Sequence, residues 1–218
     1  MVKVFDKKTV EIIISKIPRL KGLKRRLEQY PTPSWIVAHM SWRAFMNGDV
    51  EGRSVADLGC GDGRLLYASL LLGARLGLCV DIDEEAVKHS VSVLNNYFSE
   101  YSPRILFIVA DASQLSFSNV DTVVMNPPFG VVRENRGLDV AFLRRALQYA
   151  KSVYSIHKYS PGLLKILKDL AASYNSRLEL TEILDFEIPM VFETHRSRIY
   201  RFKSLFIVLR RVVSDEQC

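Results

Sequence analysis

The segment Asn126-Pro127-Pro128-Phe129 combines residue types that suit the transfer of a group to a planar amine. An exocyclic amine is a poor nucleophile because its lone pair is delocalised into the neighbouring π-system. Two acceptors, the side-chain oxygen of Asn126 and the carbonyl of Pro127, can hold its two N–H groups and localise that lone pair. Pro128 fixes the direction of that carbonyl, because a proline restricts the residue before it to an extended conformation. The segment therefore predicts catalysis by positioning and electrostatics rather than by a strong general base.

Phe129 completes this candidate catalytic segment. It follows two rigid prolines at the end of the apolar run 120–125, so we expect an exposed ring. Such a ring can stack on the flat face of a target base, a contact worth roughly 1–3 kcal/mol. The alternative is an ordinary turn after a strand, since Asn and Pro are common in turns.

A glycine-rich turn elsewhere in the chain predicts a ligand site. The apolar run 54–58 carries Asp57, and a predicted helix over 64–72 follows the turn. The glycines are Gly59, Gly61 and Gly63. Turns that bind dinucleotides read G-x-G-x-x-G and place a diphosphate at the helix start. The different spacing here, and an acid that would repel a diphosphate, favour a ligand with a positive amino acid end and no phosphate, such as S-adenosylmethionine.

Two further acids stand where predicted strands end. Asp81 follows the strand 76–80, about twenty residues after the glycines, where a carboxylate can accept from both ribose hydroxyls. Asp111 follows the strand 105–110 and is placed to accept from an adenine amine. We also assign Ile82 and Ala112, which directly follow these two acids, to the cofactor-binding site. For Asp83 we favour a helix N-cap instead.

Alternating strands and helices predict a Rossmann-like α/β fold. We expect a mostly parallel seven-stranded sheet with one antiparallel edge strand and helices on both faces. The predicted division is an N-terminal helical segment at 1–48 that packs over the cofactor site, a catalytic domain at 49–213 and a short tail at 214–218. In such sheets ligands bind at the carboxyl ends of the strands, where the acids and Asn126 all lie.

These motifs resemble class I S-adenosylmethionine-dependent methyltransferases that act on amino groups. A closer resemblance, running from about residue 27 to 158, is to the methyltransferase-like protein five family. It is carried by segments such as Leu27-Glu28-Gln29-Tyr30-Pro31-Thr32, Asp57-Leu58-Gly59-Cys60-Gly61, Asp81-Ile82-Asp83, Ala141-Phe142-Leu143 and Val153-Tyr154-Ser155-Ile156-His157-Lys158. The resemblance implies methylation of adenine N6 in small-subunit ribosomal RNA.

The same resemblance implies further contacts. Gln29 and Thr32 should close over the methionine end of the cofactor. We also count Asn126 among the residues that line the cofactor site. A small zinc-ribbon activator protein should bind an exposed sheet edge. The chain departs from the family pattern at Asp62 and Arg64 and in the loop 131–136, which bears on target selection.

The charge distribution suggests a polyanionic partner. The chain carries a formal charge of +6, with a dense basic stretch between Ile14 and Leu27 and a second basic group at His195, Arg196, Arg198, Arg201 and Lys203. Such groups can neutralise phosphates without reading sequence, although a solvated helix face is the alternative. The candidate RNA contacts are Lys24, Arg25, Arg26, Arg133 and Lys158. For His157 we favour a structural role.

The cysteines indicate a reducing compartment. Cys60, Cys79 and Cys218 show neither paired nor metal-ligand spacing, so we predict no metal, a cytoplasmic location and a small cavity-lining role for Cys60. The apolar stretch 65–80 is interrupted by Gly73 and Arg75, so we expect no membrane span.

The function predicted from the sequence is therefore adenine-N6 methylation of structured RNA with S-adenosylmethionine. Guanine N2, DNA adenine N6 and a protein glutamine amide remain open, because each offers an amine beside a π-system. A non-catalytic RNA-binding scaffold is a rival that requires a damaged pocket. An NAD-dependent dehydrogenase is disfavoured by the glycine spacing.

Overall fold

A computed structural model describes residues 5–189 and 199–212 of the chain. Six α-helices are described: α1 (Lys7–Ser15), α2 (Ser34–Met46), α3 (Arg64–Leu71), α4 (Glu84–Tyr97), α5 (Leu138–Tyr149) and α6 (Leu163–Ser173). Seven strands accompany them: β1 (Ser54–Leu58), β2 (Leu76–Asp81), β3 (Ile105–Val109), β4 (Val120–Met125), β5 (Ala150–Lys158), β6 (Ser176–Pro189) and β7 (Ile199–Arg211). These elements confirm the alternation predicted from the sequence.

The seven strands form one sheet in the order β3-β2-β1-β4-β5-β7-β6. All pairs from β3 to β5 are parallel, whereas β7 runs antiparallel to both β5 and β6. The Rossmann-like fold class is confirmed. The reversed strand lies one place inside the edge, because β6 and β7 form a long hairpin whose second strand pairs with β5.

The sheet is covered on both faces by helices. Along β4, Val124 belongs to one apolar cluster while Val123 and Met125 belong to the other, as side-chain alternation requires. The first cluster contains residues of α1 to α4, and the second contains residues of α5 and α6. Burial on both faces accounts for the nearly continuous apolar strands.

The N-terminal helices share a core with the rest of the domain. Val10 and Ile14 of α1 and Ile36 of α2 are fully buried in the same cluster as Leu66 of α3. Arg64, at the start of α3, donates to the carbonyls of Ile14 and Ile17 at 2.9 and 2.8 Å. The division predicted at residue 48 stays a prediction.

Arg64 also explains a departure from the family pattern. Its Nε donates to Asp62 at 2.7 Å, and the guanidinium is almost completely buried. Asp62 and Arg64 therefore act together, joining the glycine turn to the end of α1.

The prediction of unpaired cysteines is wrong for two of them. Cys60 and Cys79 form a disulfide with a Cα–Cα distance of 5.5 Å. β1 and β2 are adjacent parallel strands, so Cys60, just past β1, comes close to Cys79 within β2. Spacing along the chain does not reveal this pairing, and it removes the cysteine argument for a reducing compartment. Cys218 and the predicted tail lie outside the described residues.

Over the described ranges 5–189 and 199–212, no helix is both long enough and apolar enough to cross a membrane.

Candidate active site

A cavity opens at the carboxyl ends of the parallel strands. Its wall includes most of the predicted cofactor residues: Gln29, Thr32, Asp57, Gly59, Gly61, Asp81, Ile82, Asp111, Ala112 and Asn126. Pro128 of the catalytic segment also lines it, and so do Asp62 and Arg64. The structure therefore brings the two predicted halves of the site into one space.

The glycine turn is held by backbone hydrogen bonds to β2. The amides of Gly59 and Cys60 both donate to the Val80 carbonyl, at 2.8 and 3.0 Å, and Gly61 N donates to the Asp81 carboxylate at 2.8 Å. Gly59 has a φ of +74°, and a Cβ there would lie 3.1 Å from the Phe142 ring. A larger residue at this position would therefore be strained.

Gly63 does not line the cavity, and its predicted cofactor contact stays a prediction. It caps α3 with a φ of +77°, and an added Cβ would lie 2.5 Å from Tyr67 Cε2 and 2.8 Å from Ser90 Oγ. Gly63 is required by helix packing, a role that its place in a glycine motif does not distinguish from ligand contact.

Asp57 brings a buried acid to the cavity. It is 1 % exposed, and one oxygen accepts from Leu66 N at 3.2 Å. Burial raises the pKa of its carboxyl well above the ordinary value. Burial likewise raises the pKa of Asp81, whose oxygens accept from the amides of Gly61 and Asp83. Both carboxyls are therefore suited to a ligand that supplies hydrogen-bond donors or positive charge.

Three buried acceptor atoms in the cavity-lining residues lack hydrogen-bond partners within the described part of the chain. They are Glu28 Oε2, Asp57 Oδ1 and Asn126 Oδ1. The Asn126 amide nitrogen is occupied, since it donates to Thr32 Oγ1 at 2.9 Å. A buried acceptor without a donor is costly, so the cavity is complementary to a ligand rich in N–H and O–H groups.

The Gln29 side chain is held near the carboxyl end of β2 by hydrogen bonds. Its amide donates to Asp83 Oδ2 at 2.7 Å and accepts from Lys24 N at 2.7 Å. Lys24 Nζ lies 2.5 Å from the other Asp83 oxygen. Although burial opposes it, these donors lower the pKa of Asp83. Asp83 also caps α4 by accepting from Glu85 N, which confirms its predicted capping role.

Glu28 is a cavity residue that we did not single out from the sequence. It is 5 % exposed, and its Oε1 accepts from Val132 N at 2.8 Å and Asn135 Nδ2 at 3.2 Å. Its φ is +50°, a left-handed conformation that is uncommon outside glycine and clusters at functional sites. The one available signal was its position beside Gln29 in the family segment.

Phe129 is not exposed, so that expectation is wrong. Its ring is 9 % exposed and packs edge-on against Phe186 and Phe202, with centroids at 5.4 and 5.2 Å. These partners come from the β6–β7 hairpin, more than fifty residues away in sequence. Its predicted stacking on a target base stays a prediction.

Asp111 lies in the cavity wall, but both its oxygens already have partners. Oδ1 accepts from Ser113 N and Oγ, and Oδ2 accepts from Gln114 Nε2 at 2.8 Å. A carboxylate oxygen has a further lone pair, so a ligand amine can still bind.

The candidate RNA contacts differ in their surroundings. Arg25, Arg26 and Arg133 are exposed, and Arg26 lies beside the site because its carbonyl accepts from Asn135 Nδ2 at 2.9 Å. Lys24 is committed to Asp83, and Lys158 Nζ lies 5.9 Å from the centroid of the Phe202 ring. Arg25, Arg26 and Arg133 therefore stay candidates for phosphate contact.

The other basic candidates are less suited to phosphate contact. Arg201 and Lys203 pair with Glu187 and Asp185 across the β6–β7 hairpin, whereas His195, Arg196 and Arg198 lie outside the described residues. His157 is fully buried between Ser155 Oγ and Asp139 Oδ2, at 2.9 and 3.1 Å. This placement agrees with a structural role.

Metal ligation has no support in the described ranges. No group of three or more His, Cys, Asp or Glu side chains there is arranged to hold a metal ion.

Comparison with known proteins places the chain in a family. The family model described as "Methyltransferase small domain" matches residues 40–156. The chain is 37 % identical to rRNA N(6)-adenosine-methyltransferase Mettl5 of Drosophila melanogaster, over 79 % of this chain and 81 % of that protein. It is 33 % identical to rRNA N(6)-adenosine-methyltransferase METTL5 of Danio rerio, over 88 % of this chain and 92 % of that protein.

A solved structure supports the same assignment. The crystal structure of PH1948 from Pyrococcus horikoshii superimposes with a TM-score of 0.83 at 32 % identity, covering 95 % of this chain and 98 % of that one. Together with the cavity described above, these similarities confirm the resemblance found in the sequence. The chain belongs to the methyltransferase small domain family and, within it, to the Mettl5 family of rRNA N6-adenosine methyltransferases.

Proposed function

We propose that this protein transfers a methyl group from S-adenosylmethionine to adenine N6 in small-subunit ribosomal RNA. The observation that carries the proposal is a set of buried acceptors in the cavity residues Glu28, Asp57 and Asn126 that have no partner among the residues the structure describes. Similarity to rRNA N6-adenosine methyltransferases supports the choice of adenine and of ribosomal RNA.

The cavity fits the chemical groups of the cofactor. S-adenosylmethionine carries an ammonium group, two ribose hydroxyls and an adenine amine, which are all donors. We assign Asp57, with Gln29 and Thr32, to the methionine end, Asp81 to the ribose and Asp111 to the adenine amine, with Gly59 and Gly61 allowing close approach of the backbone. When bound, the cofactor supplies the methyl group.

Asn126 and Pro127 would orient the target amine. Asn126 Oδ1 is an acceptor without a partner in the described part of the chain, whereas the side-chain nitrogen donates to Thr32. Its position at the end of β4 places it at the same sheet edge as Asp57 at the end of β1. In this assignment the amine needs no strong base before attack, because it can lose its proton once it is cationic.

The RNA backbone would be held by exposed arginines near the cavity, namely Arg25, Arg26 and Arg133. Phosphate contacts of this kind position a substrate but do not read its sequence. Because the target base must leave its stack to enter the cavity, unpaired or distorted RNA should be preferred.

We further propose that a small zinc-ribbon activator protein binds the edge strand β3. Leu106 and Val109 of this strand are 60 % and 52 % exposed, and its outer backbone groups are available for pairing. An edge strand with exposed apolar side chains is a surface that a partner strand can cover. Similarity to rRNA methyltransferases is the support that remains for the predicted cytoplasmic location.

Methyl transfer from labelled cofactor tests the proposed function. Total RNA, DNA and ribosomal protein should be offered separately to the wild-type protein, with and without the activator. Label should enter RNA and digest to N6-methyladenosine. Label in protein or DNA alone, or in guanine, would overturn the choice of substrate.

Activator binding has its own test. Leu106→Asp should abolish co-purification with the activator, because it places a charge in the proposed contact. Ile166→Asp, on the exposed side of α6, is the matched control and should leave co-purification intact. Equal binding by both variants would place the activator elsewhere.

A further inference from the structure

Glu28 and Gln29 are neighbours whose side chains point to different walls of the cavity. Gln29 bonds Asp83, next to the end of β2, where the cofactor ribose is assigned. Glu28 instead bonds Val132 and Asn135, in the loop that follows the Asn-Pro-Pro-Phe segment. Glu28 therefore belongs to the side of the cavity where the target nucleotide is assigned.

One oxygen of Glu28 has no structural use within the described ranges. Oε1 satisfies both loop donors, whereas Oε2 is buried and unpartnered in a side chain that is 5 % exposed. Burying a carboxylate oxygen without a donor is costly, so this atom is complementary to a donor on a bound ligand.

Within the target adenosine, one donor is not yet assigned. An adenosine inside RNA has the two N–H groups of its amine and the hydroxyl at ribose C2′, while its phosphates only accept. Both N–H groups are assigned to Asn126 and Pro127. The cofactor donors are likewise assigned, to Asp57, Asp81 and Asp111.

We propose that Glu28 Oε2 accepts a hydrogen bond from the 2′-hydroxyl of the target adenosine, and that this contact makes the enzyme prefer RNA to DNA. The inference rests on the proposed function and identifies how that site selects its substrate class. The 2′-hydroxyl is the group by which a protein can distinguish the two nucleic acids at one nucleotide. A hydrogen bond to a charged group of this kind corresponds to a rate ratio of about tenfold or more.

A single-nucleotide replacement tests the contact. Two oligoribonucleotides spanning the methylated site should be compared, with adenosine or 2′-deoxyadenosine at the target and ribose everywhere else. For the wild type, kcat/KM should fall about tenfold on the deoxy substrate. Glu28→Ala should methylate both substrates at the same reduced rate, because the acceptor is gone.

Two controls separate the contact from loop positioning. Asn135→Ala removes one loop hydrogen bond and should lower both rates while keeping the tenfold ratio. Asp169→Ala removes an exposed carboxylate from α6, outside the cavity, and should change neither rate nor ratio. If Glu28→Ala does not fold, Glu28→Gln carries the test. Its amide oxygen can take the loop donors, and the uncharged group facing the cavity should reduce the ratio to about threefold or less.

Different results would contradict the Glu28 contact and the proposed function. Equal wild-type rates on the two substrates, or a full tenfold ratio in Glu28→Ala or Glu28→Gln, would overturn the Glu28 contact. Absence of wild-type methylation on the all-ribose substrate would instead overturn the proposed function.

Discussion

Asn126 presents two different groups to its surroundings. Its side-chain nitrogen is fixed by Thr32, and its buried oxygen is left without a partner within residues 5–189 and 199–212. A short polar side chain at a strand end is therefore oriented before any substrate binds. Preorganisation of this kind is the main source of electrostatic catalysis.

Asn126→Ala tests the orienting role. We expect kcat to fall by about 10²–10³, the usual cost of losing one preorganised hydrogen-bonding group in an active site. The Kd for S-adenosylmethionine, measured by calorimetry, should change little. Asn96→Ala, on α4 and outside the cavity, is the matched control and should keep the wild-type rate. Strong residual turnover in Asn126→Ala would contradict the assignment.

The burial of Asp57 predicts that this carboxyl lowers the stability of the ligand-free protein and strengthens ligand binding. A carboxyl whose pKa burial raises in the folded state contributes stability below its ordinary pKa and loses it as pH rises through the folded value. At neutral pH, above the ordinary carboxyl pKa, the buried Asp57 carboxyl therefore lowers the stability of the ligand-free protein. Asp57→Asn should melt higher than the wild type at neutral pH, by about 2–4 °C for each kcal/mol relieved.

Melting curves against pH check this prediction. The advantage of Asp57→Asn should shrink as the pH falls through the raised folded value toward the ordinary carboxyl pKa, since the buried carboxyl is then protonated and carries no charge. S-adenosylmethionine should raise the melting temperature of the wild type much more than that of the variant. A variant that melts lower than the wild type at neutral pH would refute the idea.

At the scale of elements, the sequence predicted what depends on local pattern. The strands, most helix bounds and the acids at strand ends follow from periodicity and turn residues, and the resemblance added Gln29 and Thr32. Contacts between distant segments could not be predicted. The burial of Phe129 depends on the β6–β7 hairpin, and the Cys60–Cys79 pairing depends on the register of β1 and β2.

The packing of Gly63 is a further contact that the sequence alone could not predict. Within the glycine turn its neighbours at 59 and 61 line the cavity, while Gly63 itself faces Tyr67 and Ser90. Gly63→Ala should destabilise the fold by about 2–5 kcal/mol, combining the cost of a positive φ with a steric clash. Gly52→Ala has a similar φ of +69° and no atom within 4 Å of the added Cβ, so it should cost only about 1–2 kcal/mol.

Urea unfolding distinguishes these two glycines. A shift in the midpoint that is clearly larger for Gly63→Ala supports the packing role. Equal shifts for the two variants would show that backbone conformation alone accounts for Gly63.

At the scale of the whole molecule, a twisted parallel sheet gathers the site residues. Asp57, Asp81 and Asn126 come from three strands whose carboxyl ends share one edge, and the segment before α2 completes the wall. The exposed Arg26 lies beside this cavity, since its carbonyl accepts from the cavity residue Asn135. The fold therefore places a cavity with buried hydrogen-bond acceptors beside an exposed arginine. This arrangement suits an adenosine that is part of a polyanion.

The salt dependence of RNA binding measures that charge. The double variant Arg25→Ala with Arg26→Ala should weaken binding of an oligonucleotide that spans the methylated site. It should also reduce the slope of log K against log salt by about 0.7 for each phosphate that the variant no longer neutralises. Lys168→Ala, exposed on α6, should leave the slope unchanged. An unaltered slope in the double variant would place the RNA on another surface.

The most direct test of the account is to locate the methyl group. Small-subunit ribosomal RNA from cells that lack the gene should be incubated with labelled S-adenosylmethionine and either the wild-type protein or Asn126→Ala, each with the activator. We predict that the wild type places the label at N6 of an adenosine and that the variant places almost none. Label on another atom or another class of molecule, or equal labelling by the two proteins, would contradict the account.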